Sequence, residues 1–144
     1  MALTRSCDNA ADVDTRFMSL LGSAKLMAFA AISAPARAKA FYGDVLGLRF
    51  VSEDSFAVVF DSNGVTLRLS ITPKPVLAPY TVLGWMVDDI EAKVKELSEH
   101  GVKFERYSFP GQDAQGIWTA PGGLARVAWF KDPDGNTLSV SQHH

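Results

Sequence analysis

The side chains best able to do covalent or metal chemistry are few and scattered in this sequence. Cys7 is the only cysteine, and the histidines are His100, His143 and His144. Cys7 lies in a polar N-terminal arm with no neighbouring histidine, so it lacks the surroundings that make a thiol a nucleophile. His100 falls at the end of a predicted helix, where an imidazole suits the exposed carbonyls. His143 and His144 are the one adjacent pair with chelating chemistry, but at the chain end a mobile tail is the simpler reading. Gly122 and Gly123 have neither the strand-to-helix context nor the lysine of a phosphate loop. What stands out instead is Arg68 and Ser139, at equivalent points of two similar stretches, "FDSNGVTLRLS" from residue 60 and "FKDPDGNTLSVS" from residue 130. A fixed cation and a hydroxyl among apolar and aromatic residues suit noncovalent capture of an organic molecule that carries an anionic or carbonyl oxygen.

The elements that must position these residues belong to one compact domain. A chain of 144 residues that is 47% hydrophobic and 21% charged can bury a sizeable core. Its net charge of -2 gives no basic surplus for nucleic acid. One cysteine cannot form an internal disulfide, and no signal-peptide pattern opens the sequence. No segment has the roughly 20 consecutive apolar residues of a membrane span. A cytoplasmic protein with no membrane or nucleic-acid partner is expected.

Along the chain, residues 1–24 read as an N-terminal extension. In it Val13, Phe17, Leu20 and Leu21 fall at helical spacing ahead of Gly22. That stripe needs burial on its own domain or on a partner subunit. "KLMAFAAI" (25–32) is a short apolar strand. A helix follows, capped by Ser33, with Pro35 in its first turn, Ala38, Phe41, Val45 and Leu46 as its apolar stripe, and Gly47 at its end. "LRFVSE", "FAVVFD" and "VTLRLSI" are then three strands.

After the proline-bearing linker "TPKPVLAP", the order begins again with the strand "YTVLGWMV". Asp88 or Asp89 caps a helix with Ile90, Val94 and Leu97 on one face and Gly101 at its end. "VKFERYSF", "LARVAWF" and "TLSVSQ" supply strands. "PGQDAQGIWTAPGG" (110–123) is either a cover over a pocket or an ordinary exposed loop. "DPDG" is a tight turn in which Asp132 and Asp134 are structural. Ile32 matches Val87, Gly47 matches Gly101, Phe60 matches Phe130 and Leu67 matches Leu138. The expected class is therefore α+β: two βαβββ units, about 25–72 and 80–143, completing a curved mixed sheet with helices outside, within one domain at 25–143.

"AFYGDVLGLRF" after a short strand, the paired-unit layout and "FKDPDGN" near the C-terminus together resemble the vicinal oxygen chelate superfamily. Its members include glyoxalases, extradiol dioxygenases and bleomycin-resistance proteins. The resemblance covers about residues 25–142 and leaves the N-terminal extension outside it. It implies a homodimer, and in metal-dependent relatives a divalent ion held by His, Gln or Glu on the first and last strands of each unit. Those positions fall here on Met27, Arg68, Val82 and Ser139. None is a usual ligand, and Arg68 would set a permanent positive charge where the ion sits. No metal and no other cofactor is therefore expected.

Strand alternation places Met27 and Phe29 on one face, with Arg68, Val82, Met86, Trp129 and Ser139 facing the same concavity and Ile32, Trp85, Phe130 and Leu138 under the helices. Trp118, in the long connection, closes over a ligand or docks on the nearest core. Arg68 either meets a ligand or pairs with a carboxylate across the sheet. The expected function is a non-metal member that binds an aromatic or amphipathic small organic molecule in the sheet concavity. The competing readings are a lyase or dioxygenase with unconventional ligands or a metal-free mechanism, and an interaction module whose concavity is filled by its own side chains.

Overall fold

A computed structural model of the chain describes residues 18–144. The predicted N-terminal helix, with Val13 and Phe17, lies for the most part outside the described residues. Met18–Gly22 is a short π-turn broken at Leu20, and Leu20 and Leu21 are 76% and 83% exposed, so this chain leaves that end of the apolar stripe uncovered.

The first set of elements is β1 (Met27–Ile32), α1 (Pro35–Ala38, continuing as a π-helical segment Lys39–Val45), β2 (Arg49–Glu53), β3 (Ala57–Ser62) and β4 (Val65–Ile71). Here β1 pairs parallel with β4, which pairs antiparallel with β3, giving the order β1-β4-β3-β2. The second set is β5 (Leu83–Met86), α2 (Ile90–Glu99), β6 (Trp118–Thr119), β7 (Ala125–Lys131) and β8 (Thr137–His143), in the matching order β5-β8-β7-β6. The result is an α+β fold of two four-stranded mixed sheets. The β3–β4 hairpin closes through Asn63 (φ 49°) and Gly64 (φ 91°), whose left-handed backbone matches the twist of the strands.

The two sheets share one core because their strands alternate in the same phase. Phe60 lies opposite Leu67 in the first sheet and Phe130 opposite Leu138 in the second. All four are buried in a single cluster with Tyr42, Ile90 and Val94 from the helices. Asp89 caps α2 by accepting from the Ala92 amide, and His100 Nδ1 lies 2.9 Å from the Glu96 carbonyl at the other end. The cap of α1 differs from the sequence expectation. Ala34 holds the N-cap position without a side-chain bond, and Ser33 Oγ instead donates to Asp134.

That redirected serine belongs to a polar clasp between the two sets. Asp132, 4% exposed, accepts from Tyr42 Oη at 2.7 Å, from Asn136 Nδ2 at 2.8 Å and from the amides of Asp134 and Asn136. Asn136 Nδ2 also donates to the carbonyl of Ala31 on β1, while Asp134 accepts from the amide and hydroxyl of Ser33. A buried carboxylate would be costly without these donors, and here both oxygens are engaged.

Removing one donor exposes the coupling. Tyr42→Phe is expected to lower stability by about 1–3 kcal/mol, since hydrogen bonds to charged groups are among the stronger ones. An unchanged urea midpoint would count against the clasp. Burial first, and then the charge of Asp132, push the Tyr42 phenol far above its ordinary range. The folded state therefore keeps a proton that the unfolded chain releases above about pH 10, so stability falls as pH rises past that point. Tyr42→Phe should make that fall shallower.

Candidate ligand-binding site

The faces turned away from the core form two rows. In the first sheet Phe29, Arg68 and Val59 lie side by side; in the second, Gly84, Ser139 and Trp129 do. Arg68 is half-buried and makes no hydrogen bond or ion pair among the described residues. The Asp54 carboxyl is held below the usual carboxylate range chiefly by the amides of Phe56 and Ala57, with the charge of Arg68 adding a weaker pull. Ser139 is buried, and a Cβ on Gly84 would stand 2.8 Å from its Oγ, so the row requires glycine there or a displaced serine.

The outer edge of β7 is covered in two pieces. Phe104 bridges Phe130 and the Glu105 amide donates to the Trp129 carbonyl; further along, Trp118 and Thr119 pair with Val127 and Arg126. The expected strand "VKFERYSF" is thus reduced to this short contact, and β6 arises within the connection read as a loop. A single strand cannot cover the edge because residues 106–117 leave it as an excursion.

One side chain ties both ends of that excursion. Gln112 accepts from the Tyr107 amide through Oε1 and donates through Nε2 to the carbonyls of Glu105 and Gly116. Asp113 accepts from the amides of Gln115 and Ile117, and the Ile117 side chain anchors in the core.

The excursion brings four rings together. Tyr107 and Phe109 stack at 5.4 Å, Phe109 stands edge-on to Trp118 and Trp129 at 6.0 and 6.1 Å, and the two indoles are 6.0 Å apart. Trp129 Nε1 donates to Thr81 Oγ1 at 3.1 Å, which fixes that indole. Beside the rings opens a hollow of about 620 Å³ lined by Phe109, Trp118, Trp129, Pro110, Pro121 and Thr119, among others, with no charged side chain in its lining. A concavity of about 790 Å³ along α2 is larger, but carboxylates and lysines line it and offer no dry surface for an apolar guest.

Of the residues singled out in the sequence, Trp118 and Trp129 meet in this hollow. Met27, Phe29 and Met86 are exposed on the open sheet faces at 43%, 57% and 75%. Val82 precedes β5, packs against the core cluster and donates its amide to the Thr137 carbonyl. Arg68 and Ser139 lie on different sheets. Tyr107 and Phe109 were missed; their two-residue spacing in "RYSF" was the available signal, since it puts both rings on one side of an extended segment.

The divalent ion implied by the resemblance does not fit. Met27, Arg68, Val82 and Ser139 offer a thioether, a guanidinium, a hydrocarbon and a hydroxyl, a set that no oxygen- or nitrogen-preferring ion would select. Among the described residues, no three His, Cys, Asp or Glu side chains cluster to hold an ion. No helix among them is long and apolar enough to cross a membrane.

Comparison with known proteins supplies the context. The family model described as glyoxalase/bleomycin resistance protein/dioxygenase superfamily matches residues 27–140. A glyoxalase family protein from Enterococcus faecalis is 20% identical, with a TM-score of 0.63 over 82% of this chain and 94% of that one. A superfamily member from Sphaerobacter thermophilus is 23% identical, with a TM-score of 0.61 over 84% and 99%. TnmS3, an antibiotic-binding protein from a Streptomyces species, is 20% identical, with a TM-score of 0.57 over 83% and 97%. At these identities the structures share a fold. A search of curated proteins finds no sequence match.

The ring cluster depends on Gln112, which gives a direct check. Gln112→Ala leaves the Tyr107 amide and two carbonyls without their partner, each worth about 1 kcal/mol. Hydrogen exchange at the Tyr107 amide should accelerate several-fold, and the near-ultraviolet dichroism of the paired indoles should weaken, while the far-ultraviolet spectrum stays unchanged. Unaltered exchange would show that the excursion is held by something else.

Proposed function

The chain belongs to the glyoxalase/bleomycin resistance protein/dioxygenase superfamily, and we propose that it is a non-metal member that binds an aromatic or amphipathic small organic molecule. The observation that carries this reading is the apolar hollow between Phe109, Trp118 and Trp129, in which indole and phenyl surfaces can stack on a flat guest. The rings are ordered before any ligand arrives, so binding loses little side-chain freedom. A protein of the same fold described as antibiotic-binding is consistent with capture of a small organic molecule. Arg68, which forms no ion pair among the described residues, serves as the anchor for an anionic or carbonyl oxygen, and Ser139 as a hydroxyl on the second sheet.

A second copy of the chain completes this arrangement in our reading. Leu26, Met27, Phe29, Phe56 and Met86 are large apolar side chains left exposed around the open faces. Large apolar side chains left exposed on several elements are a common feature of interaction surfaces. A homodimer with these faces apposed would exclude water from Arg68 and strengthen its hold on an anion.

Two experiments test the reading. Planar aromatic compounds with and without a carboxylate are titrated while tryptophan emission is followed, and mass spectrometry identifies what is recovered. Binding of an unchanged compound is expected, weakened roughly tenfold by Trp118→Ala or Trp129→Ala. Arg68→Leu should selectively weaken the carboxylates. Absence of binding by every compound, or affinity untouched by both tryptophan substitutions, would overturn it. For the dimer, sedimentation velocity should give twice the chain mass for the wild type and a shift toward monomer for Phe29→Glu; a monomeric wild type sinks that part.

A further inference from the structure

The aromatic hollow has a charged neighbour that stacking alone does not use. The Phe104–Phe130 bridge and the bond from the Glu105 amide to the Trp129 carbonyl set Glu105 opposite Trp129. Opposed residues of an antiparallel pair share a face, so Glu105 lies on the side of the sheet that carries the rings. It is half-buried, and its carboxylate makes no ion pair or hydrogen bond among the described residues. Its charge reaches the cluster: the Tyr107 phenol is pushed up by burial and then by Glu105.

None of the cations on the neighbouring segments, Lys103 included, forms an ion pair with Glu105 among the described residues. Arg106 donates to the Ala114 carbonyl, Arg126 pairs with Glu91 at 2.9 Å, and Lys131 donates to Thr137. Lys39 over Phe50, on the first sheet, is the one cation–ring contact among the described residues. Arg68 is likewise on the first sheet. The second sheet therefore sets aromatic rings, whose faces carry the negative lobes of their quadrupoles, next to a carboxylate that no ion pair engages.

We propose that this hollow takes an organic cation of the tertiary or quaternary ammonium class, its alkyl shell against Trp118, Trp129 and Phe109 and its charge balanced by Glu105. The proposal rests on the ligand-binding reading of the same hollow and narrows the ligand's chemistry. An alkylated ammonium fits better than a primary one because it is weakly hydrated and has few or no N–H donors to satisfy. In the named lining Thr119 alone carries a side-chain hydroxyl. A hollow of about 620 Å³ also leaves room beside the charged head for an apolar substituent.

The test uses the full chain and a matched pair of probes: choline, and its uncharged carbon isostere with a tert-butyl group in place of the trimethylammonium. Both are titrated against tryptophan emission, along with benzyltrimethylammonium. The cations should bind roughly tenfold or more tightly than the isostere, and Trp129→Ala should abolish the difference. Glu105→Gln should reduce cation affinity several-fold and leave the isostere unaffected, so the isostere also reports that the hollow is still formed. Glu105→Asp should recover part of the cation affinity. Equal binding of choline and isostere, or a preference unchanged by Glu105→Gln, overturns the cation assignment. If that happens while aromatic compounds still bind in a tryptophan-dependent way, ligand capture in the hollow stands; if no aromatic compound binds either, both readings fall.

Discussion

The buried carboxylate of Asp132 is the interaction on which the other features of this chain depend. With its neighbours Asp134 and Asn136 it ties the turn before β8 to the end of β1 and to Tyr42 of the first helical segment. Elements about a hundred residues apart in sequence are thereby held in register across the two sets. Desolvating a carboxylate is expensive, so this geometry persists only while every donor stays in place. Once the core faces of both sheets are fixed against each other, the period-two alternation of strands leaves no choice about which residues face outward. Arg68, Ser139, Trp129 and Glu105 are presented on open faces because Leu67, Leu69, Leu138, Val140, Phe130 and Phe104 are claimed by the core.

Much of this was legible in the sequence for that same reason. The repeat of Phe60 and Leu67 as Phe130 and Leu138 announced two equivalent hairpins, and alternation from those anchors placed Arg68 and Ser139 on the non-core side. The Asn-Gly and Pro-Asp-Gly turns have local chemistry strong enough to read directly. The clasp was only half visible. Turn chemistry marked Asp132 and Asp134 as structural, but nothing local shows that their distant donors are Tyr42 and Ser33, and the bond from Ser33 to Asp134 is why Ser33 does not cap its helix.

The excursion at 106–117 was the least legible part, because its conformation is set by one long side chain rather than by periodicity. "VKFERYSF" has the composition of a strand, and without Gln112 pulling Glu105 and Gly116 together it would have every local reason to continue as one. Tertiary contact overrides propensity there. The chain gives up ladder bonds on β7 and gains four clustered rings.

At a position where the resemblance to the superfamily implies a metal ligand, this chain has Arg68, and opposite Trp129 of its aromatic hollow it has Glu105. An ion would fix one charge at one point; these two side chains put opposite charges on the two sides of the fold, neither of them in an ion pair among the described residues. Both side chains are partly exposed, so water solvates their charges in the free chain and a guest that meets them replaces that water. A guest matching both would be amphipathic, with a weakly hydrated cationic end among the rings and an oxygen-bearing end toward the guanidinium. Neither sheet alone presents both charges, so in the proposed dimer the affinity of the hollow for such a guest would depend on how the open faces are apposed.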